Sequence, residues 1–326
     1  MPFVGQPLPA PRWFPPGVAR AWDLGSDAIR KTLRRAKTPR KISPGGRLGL
    51  PFEDIELHTD DGVRLAAWYV PGAADVPAGG GLVAVLHHHY GGQKAHLLPW
   101  ITLFHRRGIA CIAFDARGHG ASAPSPRGRG SFVRRSADFR AAVAEARRRG
   151  CRAVLAVGQS QGSAALVMGA ADNPLIVGCI LDSGPAPEMG SAAWGLAGNL
   201  LGPVRRRAPL AQLLLALRII PGTQPVRYVL WLWFSLARLR KSPLLWIHGD
   251  QDEVIRRSWS ALWFRALRPR GGAWRALRVS GGEHVRSLQM SAELVEEAVD
   301  GFLVRLGSAP KDGDRGSQPG IESGMS

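Results

Sequence analysis

The chain has 326 residues, 45% hydrophobic and 21% charged, which suits one large domain with insertions and excludes disorder throughout. Its 40 glycines and 25 prolines follow no collagen-like period and therefore read as many turns. The formal charge of +18 is local rather than uniform: residues 1–50 hold ten Lys and Arg against Asp23 and Asp27, and smaller basic knots follow at Arg134–Arg135, Arg147–Arg149, Arg205–Arg207 and Arg268–Arg270.

The first residues are broken by Pro2, Pro7, Pro9, Pro11, Pro15 and Pro16, so no secretory signal core is expected. The longest apolar stretch, Tyr228–Leu236, is about half of the roughly 20 residues needed to cross a bilayer. Cys111, Cys151 and Cys179 lack metal-ribbon or paired spacing and read as buried free thiols in a reducing, cytoplasmic compartment. Within an arm of residues 1–51, Trp22, Ile29, Leu33 and Ala36 fall at helical spacing among basic residues. Such a helix either packs on the domain or docks on an anionic membrane. Nucleic acid is not an expected partner, because the basic knots carry no docking motif and no interleaved aromatics.

Two alternating runs, Ile55–His58 and Val63–Tyr69, flank Asp61-Gly62 and predict a β-hairpin. Apolar strands and helices then alternate. Strands are expected at Leu82–Leu86, Ile109–Phe114, Ala153–Val157 and Ile176–Leu181, with helices over 136–149 and from Gln161. Wholly apolar strands separated by helices imply an α/β fold, with a mostly parallel sheet covered on both faces. Residues 184–240 interrupt the rhythm with two apolar helical stretches, Leu210–Ile220 and Tyr228–Leu236, and read as an inserted helical cap between core parts 52–183 and 241–306. The alternation resumes with Leu244–His248, a helix near Trp259–Leu267, a strand at Trp274–Val279 and a last helix over Ser291–Leu306; a disordered tail is expected over 307–326.

Gly158-Gln159-Ser160-Gln161-Gly162 stands between a buried strand and a helix. A serine thrust out on so tight a turn needs small residues two positions away on either side, hence Gly158 and Gly162, and the following helix helps hold negative charge nearby. A serine hydroxyl needs a histidine base oriented by a carboxylate. The chain offers both in order: Asp252 in His248-Gly249-Asp250-Gln251-Asp252, then His284 in a loop before the last helix.

With Asp115-Ala116-Arg117-Gly118-His119-Gly120 and Ser122, these motifs resemble the serine α/β-hydrolases, most nearly the serine aminopeptidase-like and monoglyceride-lipase-like branch, over about residues 52–305. The resemblance implies an α/β-hydrolase fold, a Ser160–His284–Asp252 triad, Asp250 as a turn residue and no cofactor; Asp182 is the outside candidate for the acid. It also implies two oxyanion donors: the N–H of Gln161, and the N–H of Tyr90 in the loop His87-His88-His89-Tyr90-Gly91-Gly92, where His89 stands in place of the family's usual glycine. No metal is expected at the three histidines, since adjacent residues leaving a strand point to opposite sides. His89, Trp231, Trp233 and Phe234 are candidates for a substrate pocket, and the expected substrate is a small uncharged or acyl-bearing ester or lipid, cleaved through an acyl-enzyme. The same groups suit acyl transfer, thioesterase or peptidase chemistry. A non-catalytic membrane-surface protein is the alternative of another class.

Overall fold

The computed structural model describes residues 15–37, 41–73, 81–124, 134–186, 189–222, 225–269 and 273–308. The predicted tail lies outside the described residues, apart from its first two positions. Eight strands form one sheet: β1 (Glu53–His58), β2 (Arg64–Val70), β3 (Leu82–His87), β4 (Ala110–Phe114), β5 (Ala153–Gln159), β6 (Ile176–Asp182), β7 (Leu244–Gly249) and β8 (Trp274–Val279). Their spatial order is β1-β2-β4-β3-β5-β6-β7-β8. Only β2 runs antiparallel to its neighbours; every pairing from β4 to β8 is parallel.

The predicted hairpin turn forms because Thr59 Oγ1 accepts from Val63 N at 2.9 Å and donates to Asp61 at 2.7 Å, while Gly62 supplies a φ of 77°. The central strands are apolar on both sides for a visible reason. Val83, Val85, Ile112 and Phe114 face one core layer and Ala84, Leu86, Cys111 and Ala113 the other, following the two-residue period. The first layer is completed by α4 (Arg135–Arg148), α5 (Gln161–Ala170) and α9 (Arg257–Leu267), the second by α3 (Leu98–His105) and α11 (Ala292–Ser308). α11 follows a short helix, α10 (Ser287–Met290), and another short helix, α2 (Pro44–Leu48), precedes β1.

The cap differs from the expectation by one helix. Besides α7 (Pro209–Gly222) and α8 (Pro225–Arg238) it contains α6 (Met189–Leu201), whose glycines and alanines carry too little apolar bulk to show a helical period. Close packing explains their use: a Cβ on Gly195 would strike the Val254 carbonyl, and Ala193 and Ala197 are buried. The arm helix, α1 (Pro16–Lys37), lies against this cap, with Ala21 and Ala28 clustered with Ala197, Leu201, Ala211 and Leu215. The side chains of Ile29, Leu33 and Ala36 lie outside the described residues. Cys111 and Cys179 are buried free thiols, but Cys151, beyond the end of α4, is only half-buried because it stands on a connection at the edge of the core. Among the described residues no helix is long and apolar enough to cross a membrane.

Candidate active site

The carboxyl ends of β5, β6, β7 and β8 meet at one edge of the sheet, where open α/β sheets place their ligands. Ser160 follows β5 directly, with φ 53° and ψ −114°. This conformation is costly for a non-glycine residue and is held from several sides. Ser160 N donates to Asp182 O at 2.8 Å and Ser160 O accepts from Ser163 N at 3.0 Å. Both glycines of the motif touch main chain: a Cβ on Gly158 would lie 2.7 Å from Ser163 N, and one on Gly162 would overlap the His87 carbonyl. Gly162→Ala should therefore destabilise the fold by about 1–3 kcal/mol through overpacking against backbone that cannot retreat. Thermal unfolding measures this, and an unchanged midpoint would show that the contact is soft.

His284 arrives on the loop after β8, and this loop is pinned to three strand ends. Val285 N donates to Ser183 Oγ at 2.9 Å, Gln159 Nε2 donates to Val285 O at 3.2 Å, and Gln251 N donates to Gly282 O at 2.9 Å. Gly249 and Gly282 approach so closely that a Cβ on Gly249 would strike the Gly282 carbonyl. His284 Nε2 consequently lies 2.8 Å from Ser160 Oγ, and its Nδ1 lies 2.8 Å from Asp252 Oδ2. The other carboxylate oxygen of Asp252 accepts from Val254 N at 2.9 Å and Ile255 N at 2.8 Å. Burial opposes the charge on Asp252, but the hydrogen bond and charge of His284, with smaller contributions from His248 and the Ile255 amide, outweigh it and hold its pKa below the usual carboxylate value. An ionised Asp252 can only accept, so Nδ1 of His284 carries the proton and Nε2 is left to accept from the serine hydroxyl.

The other two aspartates do different work. Asp250 pairs with Arg278 at 2.9 Å and accepts from Gly281 N at 2.7 Å, closing a turn. Asp182 is fully buried and accepts from Ser287 Oγ at 2.9 Å, Gln159 Nε2 at 3.1 Å and Ser183 Oγ at 3.2 Å. Burial raises its pKa against those hydrogen bonds. No hydrogen bond joins it to His284; it ties β6 to the loop that carries the histidine.

Residues 89–92 form a turn closed by Gly92 N donating to His89 O at 3.0 Å, with Tyr90 and Gly91, φ 72°, at its centre. His88 fixes this loop in place, donating from Nδ1 to His89 O at 2.7 Å and accepting from Ala116 N through Nε2 at 2.9 Å. Burial, then the neighbouring His119 and His87, keep it neutral, with a pKa well below the ordinary histidine value. His87 is likewise used locally, its Nδ1 donating to His88 O at 2.9 Å, and among the described residues no cluster could hold a metal ion. Gln161 supplies the first amide of α5, which by position has no intrahelical acceptor.

The pocket candidates are not gathered at Ser160 by any described contact. Trp231 packs against the core, Trp233 meets Trp263 edge-to-face with centroids 5.5 Å apart, Phe234 is 61% exposed, and the His89 ring lies beside His96 and the Cα of Gly92. The reason is that α8 lays its apolar face on α5 and turns positions 233 and 234 outward. What sequence reading overlooked is Arg135, counted there only as part of a basic knot. It is 4% exposed and donates to Gln161 Oε1 at 2.6 Å.

Residues 79–298 match the Alpha/beta hydrolase family. The chain belongs to that family. Its fold is also that of solved structures at low identity: the Pyrococcus furiosus esterase Pf2001 has a TM-score of 0.62 at 20% identity, covering 83% of this chain and 98% of that one. GrgF from Penicillium has a TM-score of 0.58 at 19% identity over 79% of this chain and 100% of that one, and Est1E from Butyrivibrio proteoclasticus 0.56 at 19% over 78% and 99%. A stretch of 79 residues is 35% identical to the Penicillium polyketide transferase grgF and 37% identical to a polyketide transferase of Gibberella fujikuroi. It covers 24% of this chain and about a quarter of each of those proteins, 25% and 23%.

Proposed function

We propose that this α/β-hydrolase cleaves carboxylic esters through an acyl-enzyme on Ser160. The observation that carries this reading is the unbroken line Ser160 Oγ, His284, Asp252, with both links at 2.8 Å. His284 Nε2 takes the hydroxyl proton as Ser160 Oγ bonds to the acyl carbon; the carbonyl π electrons move to oxygen, and the N–H groups of Gln161 and Tyr90 receive that charge. Collapse of the intermediate breaks the ester C–O bond, and the imidazolium returns its proton to the departing alcohol. Water then repeats the cycle and releases the acid. Asp252 holds the imidazole orientation and balances its charge throughout.

We take the substrate to be uncharged and acyl-bearing; the apolar cluster of Ala186, Leu196, Val254 and Ile255 packs the cap onto the Asp252 loop and carries no charge there. The stretch similar to polyketide transferases supports a second reading, in which an alcohol replaces water in the second half and the product is a new ester.

Treating the protein with a fluorophosphonate and digesting it should yield one modified peptide, adducted at Ser160. A protein left unmodified, or modified elsewhere, would end the proposal. Esters of graded acyl length, offered with and without an acceptor alcohol, then separate hydrolysis from transfer by whether acid or new ester accumulates.

A further inference from the structure

Arg135 opens α4 and is buried at 4% exposure, yet among the described residues no carboxylate pairs with its guanidinium. The nearest candidate, Asp138, is occupied by Arg117: its two oxygens accept from Arg117 Nε at 2.7 Å and from Arg117 N at 3.0 Å. A buried cation is ordinarily paired, so this arrangement calls for a reason. Its contacts supply one. Arg135 Nη1 donates to the side chain of Gln161 at 2.6 Å, and the guanidinium carbon lies 6.0 Å from the centroid of the Tyr90 ring. Nη2 reaches His119 Nε2 at 3.4 Å. That nitrogen is the acceptor, because His119 Nδ1 donates to Arg117 O at 3.1 Å. Arg135 Nε and Gln161 Nε2 have no hydrogen-bond partner. Burial lowers the Arg135 pKa to about 10, with Asp138 opposing, so the charge persists at neutral pH.

Arg135 thus hydrogen-bonds the side chain of Gln161 and faces the ring of Tyr90, the two residues proposed above to supply the oxyanion amides. We infer that Arg135 is the positioning residue of the oxyanion hole, holding the Gln161 side chain, facing the Tyr90 ring, and presenting there a positive charge that no carboxylate contacts directly and that gains a further counter-charge when the tetrahedral intermediate forms. This rests on the ester-hydrolase reading above. Because the benefit arises in the transition state and not in the bound substrate, it is felt in kcat and not in KM.

The test compares Arg135→Met, which keeps the shape and removes the charge, Arg135→Lys, which keeps the charge and loses the fork, and Gln161→Met, which keeps the amide and removes the acceptor. Readouts are kcat and KM for p-nitrophenyl butyrate, affinity for phenylboronic acid, whose adduct on the serine is a tetrahedral anion, and thermal unfolding. Arg135→Met should lose about 100-fold in kcat, the scale of one lost oxyanion donor, with KM within about two-fold. Boronate affinity should fall in parallel. Arg135→Lys should recover much of the loss, and Gln161→Met should fall between them. Arg135→Met also removes the donor to the buried Gln161 Oε1, so its melting temperature should fall somewhat, and kcat is compared at temperatures where every variant is folded. A residue serving only structure would lower the melting temperature and leave the kcat of the folded protein unchanged. An Arg135→Met protein that keeps kcat within two-fold overturns the inference. So does one that fails to fold while Arg135→Lys and Gln161→Met keep full kcat. Either result beside an active, Ser160-labelled wild type leaves the ester-hydrolase reading intact; a wild type that neither hydrolyses esters nor labels removes both.

Discussion

Ser160→Ala is expected to lower kcat on short p-nitrophenyl esters by about a million-fold, the scale on which removal of a serine nucleophile abolishes acyl transfer in unrelated enzymes. The fold should survive. The hydroxyl that is lost is hydrogen-bonded to His284 Nε2, whereas the bonds that hold the elbow, to Asp182 O and from Ser163 N, belong to the main chain and remain. Alanine and serine meet comparable resistance at φ 53°, so the strain is nearly unchanged. Far-ultraviolet circular dichroism and thermal unfolding should therefore superpose on the wild type while turnover and fluorophosphonate labelling vanish. A variant that retains a tenth of the activity would place the nucleophile elsewhere.

The second large effect separates the two acids. Asp252→Asn should lower kcat by about ten-thousand-fold, through the tautomer rather than through lost structure. The asparagine carbonyl can still accept from the Val254 and Ile255 amides, which now meet Oδ1 at 2.9 and 2.8 Å. Its amide group then faces His284 Nδ1 as a donor, drives the imidazole proton to Nε2 and points an N–H at the serine hydroxyl. A base that already carries its proton there cannot take another. Asp182→Asn should behave differently. Its two oxygens accept from Ser287, Ser183 and Gln159, so an amide placed among those donors weakens the tether of the His284 loop and lowers the melting temperature more than it lowers kcat. The paired measurement, kcat against melting temperature for both variants, distinguishes them. A larger kcat loss in Asp182→Asn would reverse the assignment.

The fold was legible because its cues are local. The wholly apolar strands around Val83–Leu86 and Val154–Val157, the turn at Asp61-Gly62 and the helical period of α9 and α11 each declare themselves within a dozen residues. The α6 helix did not, since its Gly and Ala are chosen for close approach to the Val254 loop and to α1 rather than for an apolar stripe. Around Ser160 the same division holds. Motifs identify residues whose backbone must be special, as in Gly158 to Gly162, and residues drawn from a short list of reactive side chains. They say nothing of Arg135, because what distinguishes it from the chain's many other arginines is its surroundings: a buried seat, an Asp138 already taken by Arg117, and Gln161 within reach. Trp233 and Phe234 show the converse, apolar residues whose composition suggested a pocket and whose helix turns them outward.

By itself, the sequence determined which groups could react and the order in which the chain delivers them, because strand, turn and elbow chemistry are encoded by neighbours along the polymer. Tertiary structure alone decided what Asp250 and Asp182 do instead of holding the histidine, and where a buried cation sits. Those outcomes depend on distances of about 3 Å between residues from about twenty to more than a hundred positions apart, such as Arg135 and Gln161 or Ser160 and His284, and on which donors have already claimed each oxygen.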